Sequence, residues 1–164
     1  MLLSELFKRS KSGPALLMAA VSVLLLSGSL YGQTPNLSGS WQMDTAKSQV
    51  SDGRDVTLVI ETVSGKIKIS SSSKDKAGKE TTGELLCAPD GKECEFDEGG
   101  HKSKVSMWFA GPSLNMAKTD GPVGDVVNEW KLDMSADGKV LTLTVNHIDP
   151  TGADETLVFN TKPS

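Results

Sequence analysis

The stretch Val126-Val127-Asn128-Glu129-Trp130-Lys131-Leu132-Asp133-Met134-Ser135-Ala136-Asp137-Gly138-Lys139-Val140-Leu141-Thr142-Leu143-Thr144-Val145-Asn146-His147 decides the fold. Before the break, Val126, Asn128, Trp130, Leu132 and Met134 share one mostly apolar face, while Glu129, Lys131 and Asp133 share a charged one. After it, Leu141, Leu143 and Val145 alternate with Thr142, Thr144 and Asn146. A period of two with one apolar face is what a half-buried strand requires. Asp137-Gly138 between the two segments tolerates the positive φ of a tight hairpin turn.

The same pattern extends outward in both directions. Val56, Leu58 and Ile60 alternate with Thr57, Val59 and Glu61, and Ser64-Gly65-Lys66 turns into Ile67 and Ile69. Ala77-Gly78-Lys79 turns again, Thr81 to Cys87 extends, and Pro89-Asp90-Gly91-Lys92 turns back into Cys94 to Phe96. Gly99-Gly100 and Gly111-Pro112 bracket Val105, Met107 and Phe109; Leu114 and Met116 form a short strand before a looser loop over Gly121 to Gly124. Asp149-Pro150-Thr151-Gly152 is the last turn, before Leu157 and Phe159. Short strands joined by sequential hairpins predict an all-β, antiparallel up-and-down meander closing into a barrel of about 8–10 strands, since closure removes exposed edges. The one long connection, Asp44 to Asp55, is read as a short helical turn at Thr45 to Ser48 or a cover over one barrel end.

The first residues divide differently. Lys8, Arg9 and Lys11 precede an apolar run from Ala15 to Leu26, followed by the small-residue stretch Ser27-Gly28-Ser29-Leu30-Tyr31-Gly32. This is the order of a secretory signal peptide. The run is about twelve residues, against about twenty for a spanning helix. The expected organisation is a signal peptide over 1–32, cleaved after Gly32 with Ser29 as the alternative, and one domain over 33–164, periplasmic or secreted. Export makes a disulfide between Cys87 and Cys94 the expected state of the only two cysteines. The chain is mildly acidic, with a net charge of −4, and Arg54 is the only arginine beyond the signal region. The clustered Lys and Arg of a nucleic-acid surface are missing, and no later segment reads as a membrane anchor. A monomer is expected.

Asn36-Leu37-Ser38-Gly39-Ser40-Trp41-Gln42-Met43, with Asp44-Thr45-Ala46-Lys47-Ser48 and the later Asp137-Gly138-Lys139-Val140-Leu141-Thr142, resembles small exported bacterial lipocalin-like proteins of the calycin type, most of them uncharacterised. The resemblance implies a barrel with an interior cavity and a structural Trp41 plugging the closed end. It does not extend to the late arginine or the Thr-Asp-Tyr stretch usual in lipocalins, so no other residue carries over.

Site candidates follow from the inward faces. His147 continues the Leu141, Leu143, Val145 face near a strand end, and Trp130 and Met134 share the apolar face of theirs. These three are the candidate ligand contacts, each with a plain core or rim alternative. Trp108, opposite in phase to Met107 and Phe109, is either an exposed contact or the mark of a strand buried on both faces. His101 reads as a solvated loop residue. The pairs Asp97-Glu98 and Asp154-Glu155 read as solvated turn carboxylates without the apolar surroundings that tune an acid or base. No catalytic residue, metal or cofactor is assigned, because the nucleophile, zinc and calcium motifs do not occur. The leading expectation is a non-catalytic, exported lipocalin-like domain holding a small apolar or amphipathic molecule. The alternative is a periplasmic inhibitor or envelope protein-interaction module without a cavity.

Overall fold

A computed structural model of the chain describes residues 34–120 and 125–162. The signal peptide read over 1–32, the expected mature start at Gln33 and the Gly121 to Gly124 loop lie outside the described residues. The order is β1 (Gly39–Met43), β2 (Asp55–Val63), β3 (Lys66–Lys74), β4 (Glu80–Cys87), β5 (Asp90–Glu98), β6 (His101–Ala110), β7 (Ser113–Asp120), β8 (Asp125–Met134), β9 (Val140–His147) and β10 (Glu155–Thr161). Every strand pairs antiparallel with its neighbours in sequence, and β1 pairs with β10 to close the barrel. The all-β meander expected from the alternation is thus what the chain forms, at ten strands, with no helix among the described residues.

The β8–β9 hairpin that set the reading has the register its pattern demands. Trp130, Leu132 and Met134 face Val145, Leu143 and Leu141, so both apolar faces turn to the same interior. Gly138 takes a φ of +69° in the turn, and Ser135 closes it by donating its N–H to the Val140 carbonyl at 2.9 Å. Because the strands alternate in direction, their connections divide between the two ends. The Ser64-Gly65, Ala88-Pro89, Gly111-Pro112 and Ser135–Lys139 turns lie at one end with residues 34–38. The 44–54 connection and the β3–β4, β5–β6 and β9–β10 turns lie at the other.

The first end is plugged by side chains. Trp41 is 1% exposed and packs with Met107, Leu114, Leu132, Leu141 and Phe159, all of them buried. Leu37, just ahead of β1, caps this layer, and its carbonyl accepts the indole N–H of Trp41 at 3.1 Å. The indole folds back over residue 39, where a β-carbon would stand 3.4 Å from Trp41 Nε1 on a backbone with φ +154°. The Gly-x-Trp spacing therefore has a local cause: glycine leaves the room and the backbone freedom that the ring needs.

Cys87 and Cys94 are disulfide-bonded across the β4–β5 hairpin, with α-carbons 5.6 Å apart. Their bond turns inward at the plugged end, where Cys87 is fully buried. In the chain-entropy account a loop this short gives roughly 2–3 kcal/mol, and such a bond is typical of exported proteins. Strand β5 begins earlier than the turn chemistry suggests: Asp90 already pairs with Trp108, and a bulge between Asp90 and Glu93 absorbs the turn residues.

The long connection is tied down along β10. After Met43 the chain turns at Thr45–Lys47 and rejoins the sheet where Gln49 bridges Thr156. The Asp44 carbonyl accepts from the N–H groups of Lys47 and Ser48, and Ser48 Oγ accepts from Val158 N–H at 2.9 Å. The connection thus carries residues 51–54 to the unplugged end.

Candidate functional site

Between the plug and the second end lies a cavity of about 420 Å³. Its walls follow from the inward positions of the strands: Leu58 on β2, Ile69 on β3, Phe96 on β5, Trp130 on β8, Leu143 on β9 and Leu157 on β10. The Trp130 and Phe96 rings meet edge to face, with centroids 5.6 Å apart. Further out, strands β3, β5, β7, β8 and β9 carry polar groups. Ser71 and Ser73, Glu98, Lys118, Asn128 and His147 line the outer part of the cavity. The interior is an apolar chamber under a polar rim.

The volume depends on a glycine. Gly83 on β4 stands opposite Ser71, and a β-carbon there would come within 2.6 Å of Ser71 Oγ and 3.3 Å of the Phe96 ring. A side chain at this inward position would occupy space between Phe96 and β3. Here glycine serves close approach and not a left-handed backbone.

Two charged clusters sit at the rim. Glu155, at the start of β10, is only 3% exposed and forms an ion pair with Arg54. It also accepts from Ser51, from the hydroxyl at 2.7 Å and the backbone N–H at 3.1 Å. Burial pulls its pKa upward, but the bonds from Arg54 and Ser51 outweigh that and hold it at about 2. Arg54 also bonds Asp52 at 2.9 Å, so this cluster joins one cation to two carboxylates. Across the rim, Lys118 reaches Glu98 at 3.2 Å, and its ammonium lies 5.4 Å from the Phe96 ring centroid. The Lys118 side chain is 10% exposed and that of Glu98 49%, so the lysine lies inside and the glutamate closes it from the solvent side.

Of the three candidate contacts, Trp130 and His147 line the cavity. Met134 lies toward the plugged end of the same strand, opposite Leu141 and packed against the core cluster. Trp41 is buried in the plug. Trp108 faces outward, opposite Asn115, and is 38% exposed. His101 is exposed, 2.9 Å from Asp120. The carboxylate readings need a correction: Glu155 is not a solvated turn residue but a buried ion-pair partner, and Glu98 lines the cavity. Lys118, Arg54, Ser71 and Gly83 received no role from the sequence.

The chemistry open to this arrangement is limited. His147, which lines the cavity, has its Nε2 3.9 Å from Glu155 Oε2. A carboxylate held at a pKa of about 2 is a weak proton acceptor, far from the range useful for general base catalysis near neutral pH. Among the described residues no group of three or more His, Cys, Asp or Glu side chains is arranged to hold a metal. No protein-family model matches the chain, and no curated protein is significantly similar to it. The closed ten-strand antiparallel barrel is compatible with a calycin-type architecture.

Proposed function

We propose that this protein is an exported, non-catalytic lipocalin-like domain that holds a small apolar or amphipathic molecule inside its barrel, in the periplasm or outside the cell. The observation that carries the reading is the 420 Å³ cavity, apolar in its walls and polar at its rim. Its size falls in the usual range for small-molecule sites, about 300–1,000 Å³, and a mostly apolar lining with a few placed polar groups is their usual composition. The disulfide and the signal-like residues 1–32 favour export.

Titration of the purified protein with the fluorophore 1-aminoanthracene tests the reading. Saturable fluorescence enhancement at one site per chain is expected, together with a retained small-molecule mass in the native mass spectrum of protein from expressing cells. Non-saturating enhancement with no retained mass would overturn it.

A further inference from the structure

The cavity's polar groups discriminate between kinds of amphiphile, and the discrimination rests on charge balance. Among the described residues, each lysine or arginine that lines the cavity already has a carboxylate. Arg54 lies between Glu155 and Asp52. Lys118 lies against Glu98. Counting Arg54 and Lys118 against Asp52, Glu98 and Glu155 gives two positive charges and three negative ones. An anionic head group would enter a low-dielectric site with no positive charge left to balance it, which is costly. A cationic head group would find only one carboxylate in excess, Asp52, which is itself bonded to Arg54 and 52% exposed, so that solvent screens it.

Hydrogen-bonding capacity is balanced differently. An ammonium has three N–H donors. Lys118 spends one on Glu98, and no second acceptor for it occurs among the described residues. The ammonium stands over Phe96, itself a wall of the cavity, so the remaining donors belong to a group at the cavity surface. A head group that displaces solvent from these donors must supply an acceptor in its place, and a neutral ligand oxygen does so without adding charge.

We infer that the cavity selects a neutral, oxygen-bearing amphiphile, such as a medium-chain alcohol, whose oxygen accepts a hydrogen bond from Lys118 while its apolar body lies against Phe96, Trp130 and Leu143. The inference rests on the ligand-binding reading above and specifies its ligand class. The size agrees: at about 30 Å³ per liquid water, 420 Å³ corresponds to on the order of fourteen non-hydrogen atoms.

The test compares decanol, decanoate and decylamine as displacers of 1-aminoanthracene at pH 7.5, on the wild-type protein and on Lys118→Met. Methionine keeps an unbranched apolar stem and removes the donors. Decanol is expected to displace the probe at a concentration at least about tenfold lower than decanoate or decylamine. In Lys118→Met its affinity should fall about fivefold to tenfold more than the probe's own affinity for that variant does. Decanoate or decylamine equal to or better than decanol would overturn the neutral-ligand inference. So would a decanol affinity unchanged in Lys118→Met. In both cases the probe still binds and the broader reading stands. A second variant, Glu98→Gln, guards against a folding defect: it releases a positive charge and should move the preference toward decanoate. No such movement, in a variant that still binds the probe, would count against the charge-balance argument. A probe that does not bind the wild type at all overturns the cavity reading itself.

Discussion

Along strands β7 to β10 the inward face changes chemistry from one end to the other. At the plugged end it presents Leu114, Leu132, Leu141 and Phe159, each at most 1% exposed. At the rim the same strands present Lys118, Asn128, His147 and Glu155. One period-two pattern thus builds both a packed core and the lining of a chamber. Close packing and cavity lining are therefore divided by depth along the barrel axis and not by strand.

The largest effect that would break this division is at the plug. Trp41→Ala removes a fully packed indole and its hydrogen bond to Leu37. A loss of about 3–5 kcal/mol is expected, as for large aromatic truncations in a core. Trp130→Ala, truncated into space already open beside it, should cost less than half as much. Urea unfolding midpoints of the two variants decide the matter: equal losses would mean that the rim half of the barrel is packed as tightly as the plug.

The next effect separates the ends by pH. At the plugged end the carboxylates with lowered pKa, Asp90, Asp133 and Asp137, lie outside the core, while the rim buries Glu155, whose pKa stands at about 2 against an ordinary 4.5. A carboxylate with a depressed folded-state pKa stabilises the fold fully above its unfolded value, and that contribution is lost as pH falls through the folded value. The window therefore runs from about pH 4.5 down to about 2. The shift corresponds to on the order of 3 kcal/mol. Glu155→Gln should be less stable than wild type at pH 7 and should lose less on acidification across that window. Parallel stability curves for the two proteins would show that the Arg54–Glu155 pair contributes nothing to the pH dependence.

How much of this was legible follows from which residues obey the alternation. The β8–β9 hairpin was legible because its inward residues are apolar and its turn contains Asp137-Gly138. Trp130 and His147 were legible as inward-facing for the same reason. Depth was not: Met134 shares the face of Trp130 but lies nearer the plug, and alternation reports which face a side chain takes, not how far along the axis it sits. Lys118 was missed because Asn115, Ala117, Lys118 and Thr119 blur the apolar pattern of β7, which reads as ending near Met116. Strand β7 in fact runs on to Asp120. Glu155 was misread because Asp154-Glu155 beside a turn has the composition of a solvated pair. Its partner Arg54 is 101 residues earlier, and the two segments meet through the pairing of Gln49 with Thr156 and the bond between Ser48 and Val158.

The smallest effect on stability should be the most selective for binding. Gly83 leaves space between Ser71 and Phe96 on the chamber wall, far from the plug. In Gly83→Ala the new β-carbon forces Ser71 Oγ to rotate away and Phe96 to give by a few tenths of an ångström. Ser71 can turn at little cost, whereas Phe96 is held by its edge contact with Trp130 and lies under Lys118. The ring displacement opposes the gain of about 0.4–1 kcal/mol that replacing glycine brings through the unfolded chain, so net stability should change by less than about 1 kcal/mol. Binding has no such offset, because the added methyl group and the displaced ring both reduce the chamber. Affinity for 1-aminoanthracene should fall about tenfold, equivalent to about 1.4 kcal/mol. A variant that unfolds early and binds normally would invert the assignment, placing Gly83 with the plug as a packing residue and removing the chamber's dependence on it.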